Sequence, residues 1–264
     1  MVGITYFVTI LGTAGSGKTS LASMLYTYLT SHQLDAILVN LDPAVEDLPY
    51  SPDVDARDYV NIHELMRKTG LGPNGALIAS IDMLLASIED IKDEIWSYKT
   101  NYVIIDTPGQ MELFAFRQTG PFVLKAIMGD AKAVSVYIID SMYALQPSNL
   151  FSALLLASST YVRLKMPMIN ALTKIDLLEP AQLNKIIELF NDPASLSMEI
   201  MNEKESWLIW SQDEVYNMLE KLLLFDIIPI SNLNGEGFDD LYAAIQRVVA
   251  GGEDYSTEEP SPLL

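Results

Sequence analysis

The sequence contains no cysteine. Disulfides, thiolate metal centres and a cysteine nucleophile are therefore excluded, and the composition fits a reducing compartment. Histidine is nearly as scarce, with His32 and His63 alone. The run His63-Glu64-Leu65-Met66-Arg67 lacks the second histidine of a zinc-protease helix, because position 67 is arginine. Both histidines read as ordinary surface or helix residues. Basic residues are also few: 16 Lys and Arg stand against 35 Asp and Glu, a formal charge of -19, and they form no cluster. A field of that sign repels phosphate backbones and anionic bilayers, so no direct nucleic-acid or membrane partner is expected. No segment reaches the roughly 20 uninterrupted apolar residues of a membrane span. The start, Met1 to Tyr6, has no basic stretch ahead of its apolar run and reads as a strand rather than a signal peptide. The expected protein is soluble and cytoplasmic.

Half of the 264 residues are hydrophobic, enough for a sizeable core. No composition shift or Pro/Gly-rich linker interrupts the chain before its end. One domain over residues 1–250 is expected, followed by an acidic, disordered tail at 251–264. Short apolar runs predict strands at Thr5–Leu11, Ala36–Leu41, Tyr102–Asp106, Val134–Asp140, Met168–Leu172 and Ile227–Ile230. Several are apolar at consecutive positions, as strands covered on both faces are. Their wide spacing requires crossover connections, so the fold class is α/β with a mostly parallel sheet flanked by helices. Helical patterns cover Thr19–Leu29, Gly75–Tyr98 and a broken stretch Gln182–Phe225. The last is a helical insertion near residues 180–225, with Trp207 and Trp210 among its apolar positions.

Chemically suggestive motifs fall at the carboxyl ends of these strands, where ligands bind in such sheets. Gly12-Thr13-Ala14-Gly15-Ser16-Gly17-Lys18-Thr19 matches G-x-x-x-x-G-K-[ST] and lies between a strand and a helix, and Ser20 follows it directly. Glycines let the backbone wrap phosphates closely, consecutive amides form an anion nest, and the next helix offers its positive N-terminus. Lys18 is expected to reach the β- and γ-phosphates and Thr19 to bind Mg²⁺. The strand Tyr102–Asp106 ends in a carboxylate suited to the same metal, and in Asp106-Thr107-Pro108-Gly109 the glycine amide is placed to sense the γ-phosphate. Thr173-Lys174-Ile175-Asp176 follows a later strand. Both oxygens of Asp176 can accept from guanine N1–H and its 2-amino group, a donor pair that adenine lacks. Lys174 is expected to lie along the base, and the loop with Ser231 and Asn232 to offer amides to guanine O6. The ligands expected are thus GTP or GDP with Mg²⁺.

Thr69-Gly70-Leu71-Gly72-Pro73-Asn74-Gly75 forms a rigid turn before the second helical stretch, with Asn74 as its expected N-cap. Taken with Gly12–Thr19, Asn40-Leu41-Asp42-Pro43-Ala44, Asp106–Phe114 and Thr173–Asp176, in that order, the chain resembles the GPN-loop GTPases of the SIMIBI branch of P-loop proteins. The resemblance covers roughly residues 5–250. It implies a P-loop NTPase fold, GTP hydrolysis and a homodimer in which Gly72, Pro73 and Asn74 of one copy reach the phosphates of the other. It further implies a first switch from Asp42 through Asp58, and a second from Asp106 to Phe114. Gln110, Glu112 and Asp42, in that order of preference, are candidates to orient the attacking water, and the choice among them stays open. Position 13 is Thr where the related dimeric ATPases carry a second signature lysine, which disfavours ATP. The compact chain is most like the archaeal homodimeric members. The resemblance implies an assembly factor or dimer switch acting on a protein client that the residues do not identify. A slow-hydrolysing chaperone-like module and a P-loop nucleotide or polynucleotide kinase are the alternatives.

Overall fold

The computed structural model describes residues 4–203, 209–223 and 226–251, and for residues 112 and 113 the backbone alone. Its strands are β1 (Tyr6–Gly12), β2 (Ala36–Asn40), β3 (Val54–Asp55), β4 (Tyr102–Asp106), β5 (Lys132–Asp140), β6 (Met168–Thr173) and β7 (Ile227–Pro229). They form one seven-stranded sheet in the order β3-β2-β4-β1-β5-β6-β7, with every pairing parallel. The six expected strands are present within two residues at each end. The addition is β3, only two residues long and too short to show a period. It pairs Val54 and Asp55 with Val39 and Asn40.

Both faces of the sheet are covered, which is why its strands read as unbroken apolar runs. Along β1 the side chains alternate. Tyr6, Val8 and Ile10 pack with Leu21, Leu25 and Leu29 of the helix Lys18–Ser31 and with Phe238, Leu241 and Ile245 of the helix Phe238–Val249. Phe7 faces the other way, toward Leu77, Ile81 and Leu84 of Pro73–Leu84 and toward Val123 and Ile127 of Thr119–Met128. A third cluster joins β5 and β6 to Pro147–Leu164 and to three helices, Pro180–Asn191, Pro193–Asn202 and Gln212–Leu222. Those three helices are the expected insertion, and they lie in the crossover from β6 to β7. Pro147, Pro180 and Pro193 each begin a helix, where the missing N–H costs nothing.

The structure departs from the expected elements in several places. The stripe Gly75–Tyr98 is two helices, Pro73–Leu84 and Ile88–Ser97, joined by a 3₁₀ turn at Leu85–Ser87. Gly72 is the N-cap of the first, with Pro73 and Asn74 as its opening helical residues, so the expected cap at Asn74 is corrected. Proline is pre-shaped for the first helical position, which moves the boundary forward by two residues. The helices Ile62–Thr69, Thr119–Met128, Pro147–Leu164 and Phe238–Val249 add to the three helical stretches expected. Thr119–Met128 carries Gly120 and Pro121 in its first turn, which read locally as breakers. The Trp207 and Phe225 positions and the tail beyond residue 251 lie outside the described residues. Among the described residues no helix is long and apolar enough to cross a membrane.

Candidate nucleotide site

The order of strands places β1 at the centre, and the chain's motifs gather along its carboxyl edge. Parallel register sets Ile10 beside Asp106, Asn40 beside Asp106, and Asp140 beside Thr173. The order of strand connections reverses at β1, and the crevice beside such a reversal is where open α/β sheets bind their ligands.

The phosphate loop leaves β1 at Gly12 and enters the helix Lys18–Ser31 through Gly17, whose φ of 101° is in the left-handed region. Only glycine adopts that angle without strain, so the sharp entry into the helix depends on it. Lys18 is buried, 5% exposed, and its ammonium donates to the carbonyls of Gly12 at 2.9 Å, Thr13 at 2.8 Å and Gly109 at 3.3 Å. Ser16 Oγ closes the loop on the Thr13 carbonyl at 2.8 Å. Ala14, Gly15 and Ser20 are exposed, and Thr19 is half-buried at the start of the helix.

Asp106 ends β4 and is 2% exposed. Its Oδ2 accepts from the Tyr50 hydroxyl at 2.9 Å, while Oδ1 is buried without a hydrogen-bond partner. Burial raises its carboxyl to about 6, against the lowering influence of Tyr50, Thr19 and Lys18, and Asp42 adds to the rise. A buried, half-satisfied carboxylate beside a threonine hydroxyl is a poor structural element and a good partner for a hard cation. Mg²⁺ needs only one or two protein groups when phosphates and water complete its shell. The donor set at Thr19 and Asp106 therefore fits it, although no cluster of three or more His, Asp or Glu capable of holding a metal occurs among the described residues. Burial and Asp106 together also raise the Tyr50 hydroxyl well above its ordinary range, so it is a donor at any physiological pH.

Two loops meet beside Lys18. Asp42 Oδ2 accepts from the Gly109 amide at 3.1 Å and Oδ1 from the Ala44 amide at 2.9 Å. The amide expected to sense a γ-phosphate is thus held by a carboxylate of the expected first switch. Asn40 supports Asp42 from β2, accepting from its amide at 2.9 Å and donating to its carbonyl at 3.1 Å. The same amide group donates to Asp55 at 2.8 Å, and Asp55 pairs with Arg57 at 2.7 Å. The segment expected to extend the first switch through Asp58 is therefore sheet and helix from Val54 to Tyr59, which limits the irregular loop to residues 41–53. Gln110 is exposed just before the short helix Met111–Ala115. The Glu112 side chain lies outside the described residues. Asn74 is exposed in the first turn of its helix.

The segment expected to read the base is bonded directly to the phosphate loop. Thr173 Oγ1 donates to the Ser16 carbonyl at 3.0 Å, and Lys174 Nζ donates to the Gly15 carbonyl at 2.9 Å. Lys174 also pairs with Asp140 at 2.6 Å. Asp176 is exposed, with Oδ1 accepting from Ser231 Oγ at 2.6 Å. The Ser231 amide donates to the Glu236 carbonyl at 3.0 Å, so that amide is occupied within its own turn. Asn232 Nδ2 instead reaches the Gly17 carbonyl at 3.3 Å, with its Oδ1 buried and unpartnered. Tyr50 and Asp140 escaped the sequence reading. Asp140 had a signal, since it ends a strand at the ligand edge, whereas Tyr50 sits in an irregular loop with none.

The chain is also similar to known proteins. A family model described as "Conserved hypothetical ATP binding protein" matches residues 10–251. The chain is 31% identical to GPN-loop GTPase 3 of Dictyostelium discoideum over 259 residues, covering 95% of this chain and 89% of that protein. It is 29% identical to GPN-loop GTPase 1 of the same organism, covering 94% of this chain and 62% of that longer protein. Among solved structures, a GTPase in apo form from Pyrococcus abyssi superposes with a TM-score of 0.80 at 31% identity, over 94% of this chain and 98% of the other. Likeness of this extent, in sequence and in fold, places the chain in the GPN-loop GTPase family.

Proposed function

We propose that the protein binds GTP along the carboxyl edge of the sheet and hydrolyses it to GDP and phosphate. The observation that carries this reading is the direct bonding of the Thr173–Asp176 segment to the phosphate loop at Gly15 and Ser16. By this reading Asp176 would be a guanine-selective carboxylate at a fixed reach from the phosphate nest. The loop Gly12–Thr19 would cradle the phosphates, with Lys18 turning from loop carbonyls to phosphate oxygens. Thr19 and Asp106 would hold Mg²⁺, which supplies charge stabilisation for the transferring phosphoryl group. In the reaction a water oxygen bonds to the γ-phosphorus while the bond to the β–γ bridging oxygen breaks. Gln110, Glu112 and Asp42 are the candidates to orient that water. For Gly109 to contact the γ-phosphate its amide must leave Asp42, so arrival of that phosphate loosens the join between the two loops. This supplies the switch.

A homodimer belongs to the same reading, with Gly72, Pro73 and Asn74 of one copy approaching the phosphates of the other. The exposed position of Asn74, with Leu71 also 39% exposed, supports it. A role as an assembly factor for a protein client, in the cytoplasm, belongs to the same reading. The family model's description names ATP, whereas Asp176 and Thr13 favour GTP. Turnover of both nucleotides with Mg²⁺, for the natural chain and for Lys18→Ala, decides between them. Expected are GTP-selective turnover and a loss of about 100-fold or more in Lys18→Ala. Equal ATP turnover, or full activity without Lys18, overturns the proposal.

A further inference from the structure

The loop at residues 41–53 is pinned at both ends. Asp42 is held by Asn40, and Asp53 exchanges bonds with Leu38, donating its amide to the Leu38 carbonyl at 2.8 Å and accepting the Leu38 amide on Oδ2 at 2.8 Å. Between these pins Tyr50 packs its half-buried ring against the core cluster around Val8 and Leu21. Its hydroxyl reaches Asp106 Oδ2 at 2.9 Å across 56 residues of sequence. The loop thus grips the exit of β4 at two points, one at Gly109 through Asp42 and one at Asp106 through Tyr50.

An ionised carboxylate offers both oxygens to donors and cations alike. A hydrogen bond to one of them fixes the rotamer and dedicates the other. Here the dedicated oxygen is Oδ1, buried and unpartnered. We propose that Tyr50 is the positioning residue of the metal site, orienting Asp106 so that Oδ1 is committed to the cation of a bound nucleotide. Because Tyr50 lies in the first-switch loop, the grip of the site on its cation is tied to the conformation of that loop. The inference rests on the reading of Thr19 and Asp106 as the metal groups.

The test is release of a fluorescent GDP analogue from the full chain over a series of buffered free Mg²⁺ concentrations. Three proteins are compared: the natural chain, Tyr50→Phe and Asp106→Asn. Tyr50→Phe keeps the ring and removes only the donor, so its melting temperature without Mg²⁺ serves as the check on folding. A hydrogen bond to a charged group predicts that Tyr50→Phe needs about tenfold more Mg²⁺ to slow release, with its rate in EDTA unchanged. Asp106→Asn should lose the Mg²⁺ effect altogether. If Tyr50→Phe superimposes on the natural chain while Asp106→Asn does not, Tyr50 does not position the carboxylate. If Tyr50→Phe releases faster by the same factor with and without Mg²⁺, its role is to support the loop, and the inference fails. If Asp106→Asn also keeps the full Mg²⁺ effect, the metal assignment itself fails.

Discussion

Burial holds the Asp106 carboxyl at about 6 in the native chain against 3.8 for the unperturbed group. A carboxyl raised in this way binds its proton more tightly folded than unfolded. The stability it contributes is present below the unfolded value and is lost as pH rises through about 6. At pH 8 the ionised group therefore costs the nucleotide-free fold roughly 3 kcal/mol. Asp106→Asn should raise the melting temperature of the nucleotide-free protein at pH 8 by roughly 5 °C or more. The gain should shrink to about half at pH 5. Thermal unfolding at both pH values checks this, and a gain that ignores pH would contradict it. The same proton competes with a cation, so Mg²⁺-dependent retention of nucleotide should weaken as pH falls below about 6. Asp176 is a different kind of residue: exposed, seated by Ser231, and with little to contribute to stability. Asp176→Ala should leave the melting temperature nearly unchanged while the preference for GTP over ATP falls by about 100-fold, measured as the ratio of dissociation constants.

Between β7 and the helix Phe238–Val249, Gly237 shows how an element boundary can carry the site. Its φ is +80°, and a Cβ added there would stand 2.0 Å from the Pro229 carbonyl oxygen. That oxygen belongs to backbone, which cannot swing aside as a side chain would. The turn between them holds Ser231 and Asn232, which contact Asp176 and Gly17. Gly237→Ala should cost roughly 2–4 kcal/mol and weaken guanine nucleotide binding together with stability. Chemical denaturation and nucleotide titration on the same variant check both. Unchanged stability would mean that the turn re-forms around the new methyl group. The phosphate loop that this turn touches was legible residue by residue, because its chemistry needs glycines, a lysine and a hydroxyl within one continuous turn. The turn at Gly237 was not, because its constraint comes from the Pro229 carbonyl behind it.

As a whole molecule the chain carries a formal charge of -19, so two copies meeting at a nucleotide-bearing face must overcome repulsion. If Asn74 acts across such an interface, Asn74→Ala and Lys18→Ala damage different subunits' contributions to one site. In a mixed dimer one site then keeps its own Lys18 and receives Asn74 from the neighbour. Equal mixing of the two inactive variants should restore about a quarter of natural GTP turnover, since half of the dimers are mixed and each has one intact site. A mixture no better than its parts means that Asn74 does not work in trans.

Several features followed from the sequence by itself: the parallel α/β sheet, the phosphate loop, the strand-end Asp106 and the Thr173–Asp176 segment. Each is encoded by neighbours in the chain, as apolar runs of strand length or as residues whose chemistry acts within one turn. Tertiary structure alone decided the rest. The Tyr50 bond to Asp106, the Asp42 hold on Gly109 and the Lys174 pair with Asp140 span 56, 67 and 34 residues. Such contacts depend on strand order and on where an irregular loop happens to fold back. The two-residue strand β3 belongs with them, because it exists only through pairing with β2. No local pattern records a partner that the sheet brings in from elsewhere.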